Sequence, residues 1–452
     1  MKKIATLLMV SLLAGSTQAQ TNVTKLFSFD ATNGAAPQAA LTIGPDGAFY
    51  GTTSRGGNGI DTNQNYGFGT IFKITTNETF STLYYFSSTN GSPESRLTMG
   101  YDGKLYGTTF GYDPYDYGTI FNITTNGIFT TLFRFSNTNG AGPFAGLTLG
   151  KDGSFYGTTS EGGTYYQGTL FRFSPPNTFV SLASFQYFTN GGFPHAELTL
   201  GSDGFFYGTT EYGGTSGNGT IFKTTTDGII TTMYQFDGVV GSHPEARLIL
   251  GNDGNFYGTT YADSSDIFNS IIFRISPSGN FSTVVHFDYY HDGASPNELT
   301  LGADGFFYGT TQYGGGYGYG TVFKVSTNGT LITLASFTNN NGANPRCALT
   351  VGMDNFFYGT TSGGGKDGLF AIGYGTMFKL ANAAPTIVVP PAFGITTISN
   401  FPVLVWPSSA TNFVLQISTN LSTGSWVNVA GGVPFSGVMV TNSGGNAFFR
   451  LH

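Results

Sequence analysis

The tetrapeptide Tyr-Gly-Thr-Thr occurs seven times, with its tyrosines at Tyr50, Tyr106, Tyr156, Tyr207, Tyr257, Tyr308 and Tyr358. After a first gap of 56 residues the copies fall 50 or 51 apart. A fixed period of this length marks a repeat architecture, in which each unit buries its apolar faces against its neighbours. The period also sets a baseline. Residues that recur in every copy belong to the scaffold, and function is to be sought where the copies disagree.

The third copy shows the unit. Leu147 to Gly150 is a short apolar strand, and Asp152-Gly153 supplies the tight turn that joins antiparallel strands. Phe155 to Thr159 is a second strand, Ser160 to Gln167 a Gly-rich loop, Gly168 to Phe173 a third strand and Phe179 to Phe185 a fourth. These segments are rich in Thr, Phe, Tyr and Leu, and none has a helical period. Four strands per fifty-residue unit predict a propeller blade, since a β-helix needs far shorter coils. The 68 glycines fall at fixed places in the unit without a collagen triplet, so they are turn residues.

The ends of the repeat predict how the ring closes. The last copy stops after its third strand, Gly375 to Leu380. The segment Thr24 to Phe29 matches the missing fourth strand. The expected fold is therefore all-β, a seven-bladed β-propeller over residues 21–381 sealed by its N-terminal strand. A closed ring leaves no open strand edge, whereas a solenoid would carry atypical caps.

The core Gly-x-Asp-Gly-x-Phe-Tyr-Gly-Thr-Thr-x-x-Gly-Gly, from about Thr21 to Leu380, resembles the GloVer tandem repeat named for Gloeobacter and Verrucomicrobia. Copy two departs from it with Gly111-Tyr112 after the threonines, and copy five with Ala262-Asp263. The resemblance implies an exported bacterial protein of the choice-of-anchor kind. It implies no catalytic residues.

Lys2 and Lys3, an apolar run from Ile4 to about Ala14, and Ser16-Thr17-Gln18-Ala19 form the three-part pattern of a signal peptide at 1–19. The run is too short to span a bilayer, so the mature chain is expected to be exported, without a membrane span. A linker at 382–391 is rich in Ala and Pro. Beyond it, residues 392–452 carry five short strand patterns and are expected to form a β-sandwich-like module. A single cysteine, Cys347, excludes an internal disulfide and fits a buried small apolar residue. Charged residues make up only 10% of the chain and the net charge is −7, with no basic stripe, so a nucleic-acid partner is excluded.

Against that low background, the positions following the proline of each copy are rich in charge. They include Glu94, Arg96, His195, Glu197, Glu245, Arg247, Glu298 and Arg346. Such a ring at a channel mouth suits a polar ligand such as a sugar acid, or else a set of ion pairs between blades. The loops between second and third strands carry tyrosines, among them Tyr112, Tyr115, Tyr117, Tyr165, Tyr166, Tyr212, Tyr313, Tyr317 and Tyr319, whose faces suit stacking on sugars or packing between blades. Asp113, Asp116, Glu161, Glu211, Asp263 and Asp266 lie near them, but a glycosidase needs two carboxylates at a defined separation.

Metal sites at the seven turn aspartates, or at His195, His243 and His291, lack the spacing of any standard motif. No nucleophile elbow, phosphate loop or dinucleotide fingerprint falls in its required context, so no cofactor is expected. The candidate ligand-binding residues are Glu94, Arg96, His195, Glu197, Glu245, Arg247, Arg346, Tyr117, Tyr166, Tyr212 and Tyr319. The expected function is an exported, monomeric, non-catalytic propeller that binds a polysaccharide or a cell-surface protein. The alternative is an extracellular lyase or glycoside hydrolase with its site at the channel mouth.

Overall fold

The computed structural model describes residues 23–57, 67–111, 116–261, 270–365 and 373–380, and the backbone of six strands between 394 and 451. The signal-peptide pattern at 1–19, the linker at 382–391, and Tyr112, Asp113, Tyr115, Asp263 and Asp266 lie outside the described residues. The chain divides into two compact units, Met1–Pro385 and Thr386–His452.

The first unit is a seven-bladed β-propeller. Blade one runs Thr42–Ile43, Phe49–Thr53, Thr70–Ile74 and Phe80–Tyr85, each strand antiparallel to the next, and the later blades repeat this order. Blade six adds Ala294–Pro296, paired to Phe307–Tyr313. In blade seven the outer strand is Val23–Ser28, which pairs with Thr376–Leu380 from Val23 opposite Leu380 to Ser28 opposite Thr376. Its Phe27 stacks on Phe80 of blade one at 4.1 Å, as Tyr84 of blade one stacks on Phe129 at 4.0 Å. The N-terminal strand thus takes the place of an ordinary fourth strand, as its sequence predicts.

Every part of Tyr-Gly-Thr-Thr has a separate job in this packing. The tyrosine is buried, with its ring against the residue before the next blade's tyrosine. Tyr156 meets Phe206 at 4.3 Å, Tyr207 meets Phe256 at 3.9 Å and Tyr358 meets Phe49 at 4.4 Å, closing the circle. Such aromatic pairs add about 0.5–1.5 kcal/mol each beyond the area they bury.

A buried phenol needs a partner for its hydroxyl. The turn aspartate four residues earlier supplies it in all seven copies, from Tyr207 to Asp203 at 2.7 Å up to Tyr156 to Asp152 at 3.1 Å. The other carboxylate oxygen accepts a backbone N–H inside the turn, as from Ser154 to Asp152 at 3.1 Å. These aspartates are therefore hairpin and phenol anchors, and they do not converge on a shared cation. The residue after the aspartate has positive φ throughout, for instance Gly47 at 74°, and in copy seven Asn355 tolerates 63°.

The motif glycine leaves room for the phenylalanine of the third strand. A Cβ on Gly51 would lie 2.4 Å from Phe72, and the other six copies are as tight. The second threonine bonds the threonine opening the third strand, as Thr159 to Thr169 at 2.9 Å. In copy five, where Ile271 replaces that partner, Thr260 accepts the Ile271 N–H instead.

In most copies the first threonine reaches the next blade, as Thr108 to the Ala145 carbonyl at 3.0 Å, whereas Thr158 Oγ1 finds no partner among the described residues. A further hydroxyl in the innermost strands links the blades around the channel, from Thr98 to the Leu147 carbonyl at 2.6 Å through to Thr350 and Leu41 at 2.8 Å. Blade five has Ile249 at that position and makes no such bond.

The second unit holds two three-stranded antiparallel sheets. One contains Gly394–Ile398, Phe401–Val405 and Gly437–Met439, the other Leu415–Ser418, Val427–Asn428 and Phe448–Leu451. Among the described residues no helix is long and apolar enough to cross a membrane.

Candidate functional site

All seven charged candidates from the post-proline positions line one cavity of about 260 Å³. They fall into two tiers because side chains alternate along an extended segment. Counting back from the leucine of each first strand, the tier next to the strands reads Ala40, Arg96, Gly146, Glu197, Arg247, Glu298 and Ala348. The tier next to the prolines reads Gln38, Glu94, Phe144, His195, Glu245, Pro296 and Arg346. Copy six is one residue shorter here, so Pro296 itself takes the ring position.

The strand tier is an ion-pair network. Arg96 Nη2 donates to both oxygens of Glu197, at 2.6 and 2.8 Å. Arg247 donates from Nε to Glu298 Oε1 at 2.6 Å, and its Nη1 lies 3.5 Å from Glu197 Oε1. Two arginines and two glutamates neutralise one another. Burial works against the charge on Arg247, but Glu298 and Glu197 outweigh it and hold the guanidinium above its ordinary pKa.

The other three positions in this tier are Ala or Gly. A Cβ on Gly146 would meet Glu197 Oε2 at 2.7 Å. The glycine thus lets Arg96 of blade two reach past blade three to blade four. For Arg96, Glu197 and Arg247, the arrangement is that of ties between blades.

The proline tier is different. His195 Nδ1 lies 2.8 Å from Glu211 Oε2, and the His195 ring packs on Phe144 with centroids 5.0 Å apart. Burial tends to raise the Glu211 carboxyl, but His195 overcomes it and holds the group below its ordinary value, with help from Tyr212 and Glu245. Glu245 lines the open cavity, with protein packed closely around its carboxyl. Burial, then the Glu211 charge, push it up to about 7. Glu94 is likewise pushed up to about 7 by burial, in spite of Arg55 and Arg346.

Arg346 is held by amides. With the Gln312 amide turned so that its carbonyl faces the donors, that oxygen accepts from Arg346 Nε at 2.9 Å, from Nη2 at 2.8 Å and from the Tyr313 hydroxyl at 2.7 Å. Arg346 Nη1 donates to Gln38 Oε1 at 3.2 Å.

The tyrosine candidates do not line this cavity. Tyr117 and Tyr319 pack in the apolar layers between blades. Tyr166 is exposed, with φ at 57°. Tyr212 sits beside Glu211, edge-on to Phe193 and His243, and its hydroxyl is pushed up to about 12 by Glu211 and by burial. The histidines do not meet either, since His291 pairs with Asp288 on the surface at 3.1 Å. Among the described residues no group of three or more His, Cys, Asp or Glu could hold a metal. Cys347 is buried with Sγ 3.2 Å from Thr360 Oγ1, and burial pushes its thiol up, away from reactivity.

Part of the wall comes from positions outside the predicted set. Tyr261 and Gln312 line the cavity as well. Both immediately follow Tyr-Gly-Thr-Thr, as do Glu211, Ser54 and Phe110. Ser54 Oγ accepts from Gln38 Nε2 at 2.8 Å, and Phe110 stacks on Phe144 at 4.6 Å. The signal was available, since this position carries five residue types over seven copies, directly after four residues that never change.

Fold and site together define a closed seven-bladed propeller with an ion-paired channel and a polar, acid-rich mouth. The Gloeobacter/Verrucomicrobia repeat matches residues 60–269 and 248–403, and the chain belongs to that repeat family. No curated protein matches it. Among solved structures it is similar to virginiamycin B lyase from Staphylococcus aureus, at 18% identity and a TM-score of 0.53, over 78% of this chain and 97% of that one. A streptogramin B lyase aligns at 17% identity and 0.54, over 79% and 97%. The extracellular domain of a putative hybrid two-component system, BT3049 from B. thetaiotaomicron, aligns at 12% and 0.51, over 90% of this chain and 51% of that one. At these identities the likeness is one of fold.

Proposed function

We propose that this chain is an exported, non-catalytic binding protein whose propeller takes a carbohydrate group at the channel mouth. The observation that carries this reading is the split between the two tiers. Charges in the strand tier are consumed by one another, whereas the proline tier turns Glu94, Glu245, His195 and Arg346 toward a cavity of about 260 Å³. Carboxyls, an imidazole, a guanidinium and amides around a small polar cavity suit the hydroxyls of one sugar unit, and the Phe144 and Tyr261 rings add apolar surface. Export rests on the leader pattern at 1–19 and on the family resemblance.

The test is a glycan array with the purified mature chain, followed by titration of each hit against His195→Gln and Glu245→Gln. Binding that weakens at least tenfold in both variants supports the mouth as the site. Unchanged affinity in both defeats it.

A second reading is favoured by one detail. His195, oriented by Glu211, shares a wall with Glu245, a carboxyl pushed up to about 7. Glu211 is held below its ordinary value while Glu245 is raised, and two carboxyls set apart in this way suit general acid and base roles. Release of new reducing or unsaturated ends from a polysaccharide would establish this lyase or hydrolase reading and overturn the first.

A further inference from the structure

The mouth has an uneven distribution of charge. Glu211, Glu245 and His195 belong to blades four and five. Arg346 precedes the first strand of blade seven, and Arg55 follows the Tyr-Gly-Thr-Thr of blade one. Between blades seven and one the mouth runs on into a side cavity of about 170 Å³. Gln38 and Arg346 line both spaces, and Arg55 lines the side cavity. Among the described residues its remaining wall carries no acid and includes Ser362 and Tyr374.

Arg346 is the central group. Its three hydrogen bonds go to the amide oxygens of Gln38 and Gln312, which orient the guanidinium without neutralising it. Among the described residues no carboxylate lies within ion-pair distance of Arg346, in contrast to Arg96 and Arg247 one tier below. Among the described residues two of its five N–H groups have no acceptor and remain for a ligand. A guanidinium fixed by neutral acceptors beside a cavity is the arrangement that binds a planar oxyanion through two parallel bonds.

We propose that this side of the mouth is an anion subsite, in which Arg346 takes the carboxylate of an acidic sugar while the ring hydroxyls face Glu94, Glu245 and His195. This rests on the carbohydrate reading above and names its ligand class, a uronate. The opposite polarity of the two sides fixes the orientation. A neutral hexose would leave the Arg346 charge without a partner, and the reversed uronate would put its carboxylate against Glu211 and Glu245. Glu94 lies between the two halves, within the influence of Arg55 and Arg346. In its protonated form it donates to the sugar and adds no repulsion.

The experiment is calorimetric titration of the full mature chain with glucuronate and galacturonate, with glucose and galactose as neutral counterparts, and with acetate. The expected result is at least tenfold tighter binding of one uronate than of its neutral counterpart. In Arg346→Gln the uronate should lose at least tenfold more affinity than its neutral counterpart, so that the preference vanishes, and Arg346→Lys should keep part of it. The thermal midpoints of both variants are measured to show that they fold.

Equal binding of acid and neutral sugars overturns the anion subsite and leaves the carbohydrate reading standing. A preference that survives Arg346→Gln in a folded variant also overturns it. Acetate competing as well as the uronate removes the sugar from the proposal. Binding of neither sugar class defeats this proposal and the carbohydrate reading together.

Discussion

Arg247→Met removes a guanidinium whose Nε sits 2.6 Å from Glu298 and whose Nη1 sits 3.5 Å from Glu197. The two glutamates are affected unequally. Glu197 keeps both bonds from Arg96, at 2.6 and 2.8 Å. Glu298 loses its only ion pair among the described residues and stays in a wall where its side chain is 18% exposed.

Removing one partner of a buried pair costs about 3–5 kcal/mol, because the charge left behind is uncompensated. The loss from Arg247→Met should lie in that range, with most of it arising at Glu298. Urea unfolding of the mature chain, followed by tyrosine fluorescence and circular dichroism together, measures it, since both tryptophans, Trp406 and Trp426, lie in the second unit. The double variant Arg247→Met/Glu298→Gln removes the stranded charge. It should be more stable than the single variant, with a coupling of about 0.5–3 kcal/mol. A single-variant loss below about 1 kcal/mol, the level of an exposed pair, would show that the tier does not hold the ring. A double variant no more stable than the single one would refute the assignment of the cost to Glu298.

Three further outcomes are expected. Gly146→Val should cost about 1–3 kcal/mol by overpacking, since even a Cβ there meets Glu197 Oε2 at 2.7 Å; unchanged urea stability would refute the account of that glycine. Glu94 and Glu245 have folded values raised to about 7, so the stability they contribute is complete below the unfolded value and is lost as pH rises through about 7. The thermal midpoint should therefore fall between about pH 4.5 and 7.5, and it should fall less in Glu94→Gln/Glu245→Gln; an equal fall in that variant would assign the effect elsewhere. Deleting residues 20–29 should expose the Thr376–Leu380 edge and produce dimers or aggregates in size-exclusion chromatography; a stable monomer with an unchanged midpoint would contradict closure by this strand.

The blade count, the antiparallel order and the closure by Val23–Ser28 were legible in the sequence, because each follows from strand periodicity and from a repeat with one strand missing. The hairpin role of the turn aspartates was legible too, but their bond to the motif tyrosine was not. Asp203 and Tyr207 lie on opposite sides of the turn, and only the folded hairpin brings them to 2.7 Å. Repeat register located the charged ring, yet it did not separate the two tiers. Arg96 and Arg346 look equivalent in sequence, since each follows a proline closely. They part company because one is three residues past its proline and the other only one, which puts them at different depths along the same wall.

The tyrosine loops were the least readable. Tyr117 and Tyr319 have the composition of a binding surface, but the space they fill lies between blades.

The division of labour inside each blade has a consequence for how such a protein can change. Tyrosine, glycine, two threonines and the turn aspartate lock each blade internally and to the next, and a residue directly after the proline enters these contacts in copy six, where Asn297 accepts from Thr259 and donates to Thr310. Those two positions face the mouth and have neighbours mainly among themselves, such as His195 with Glu211 and Arg346 with Gln312. The mouth is therefore a panel of interchangeable side chains mounted on a fixed frame. Recognition can be rewritten two residues at a time, blade by blade, while the circle of buried phenols that keeps the ring shut stays as it is.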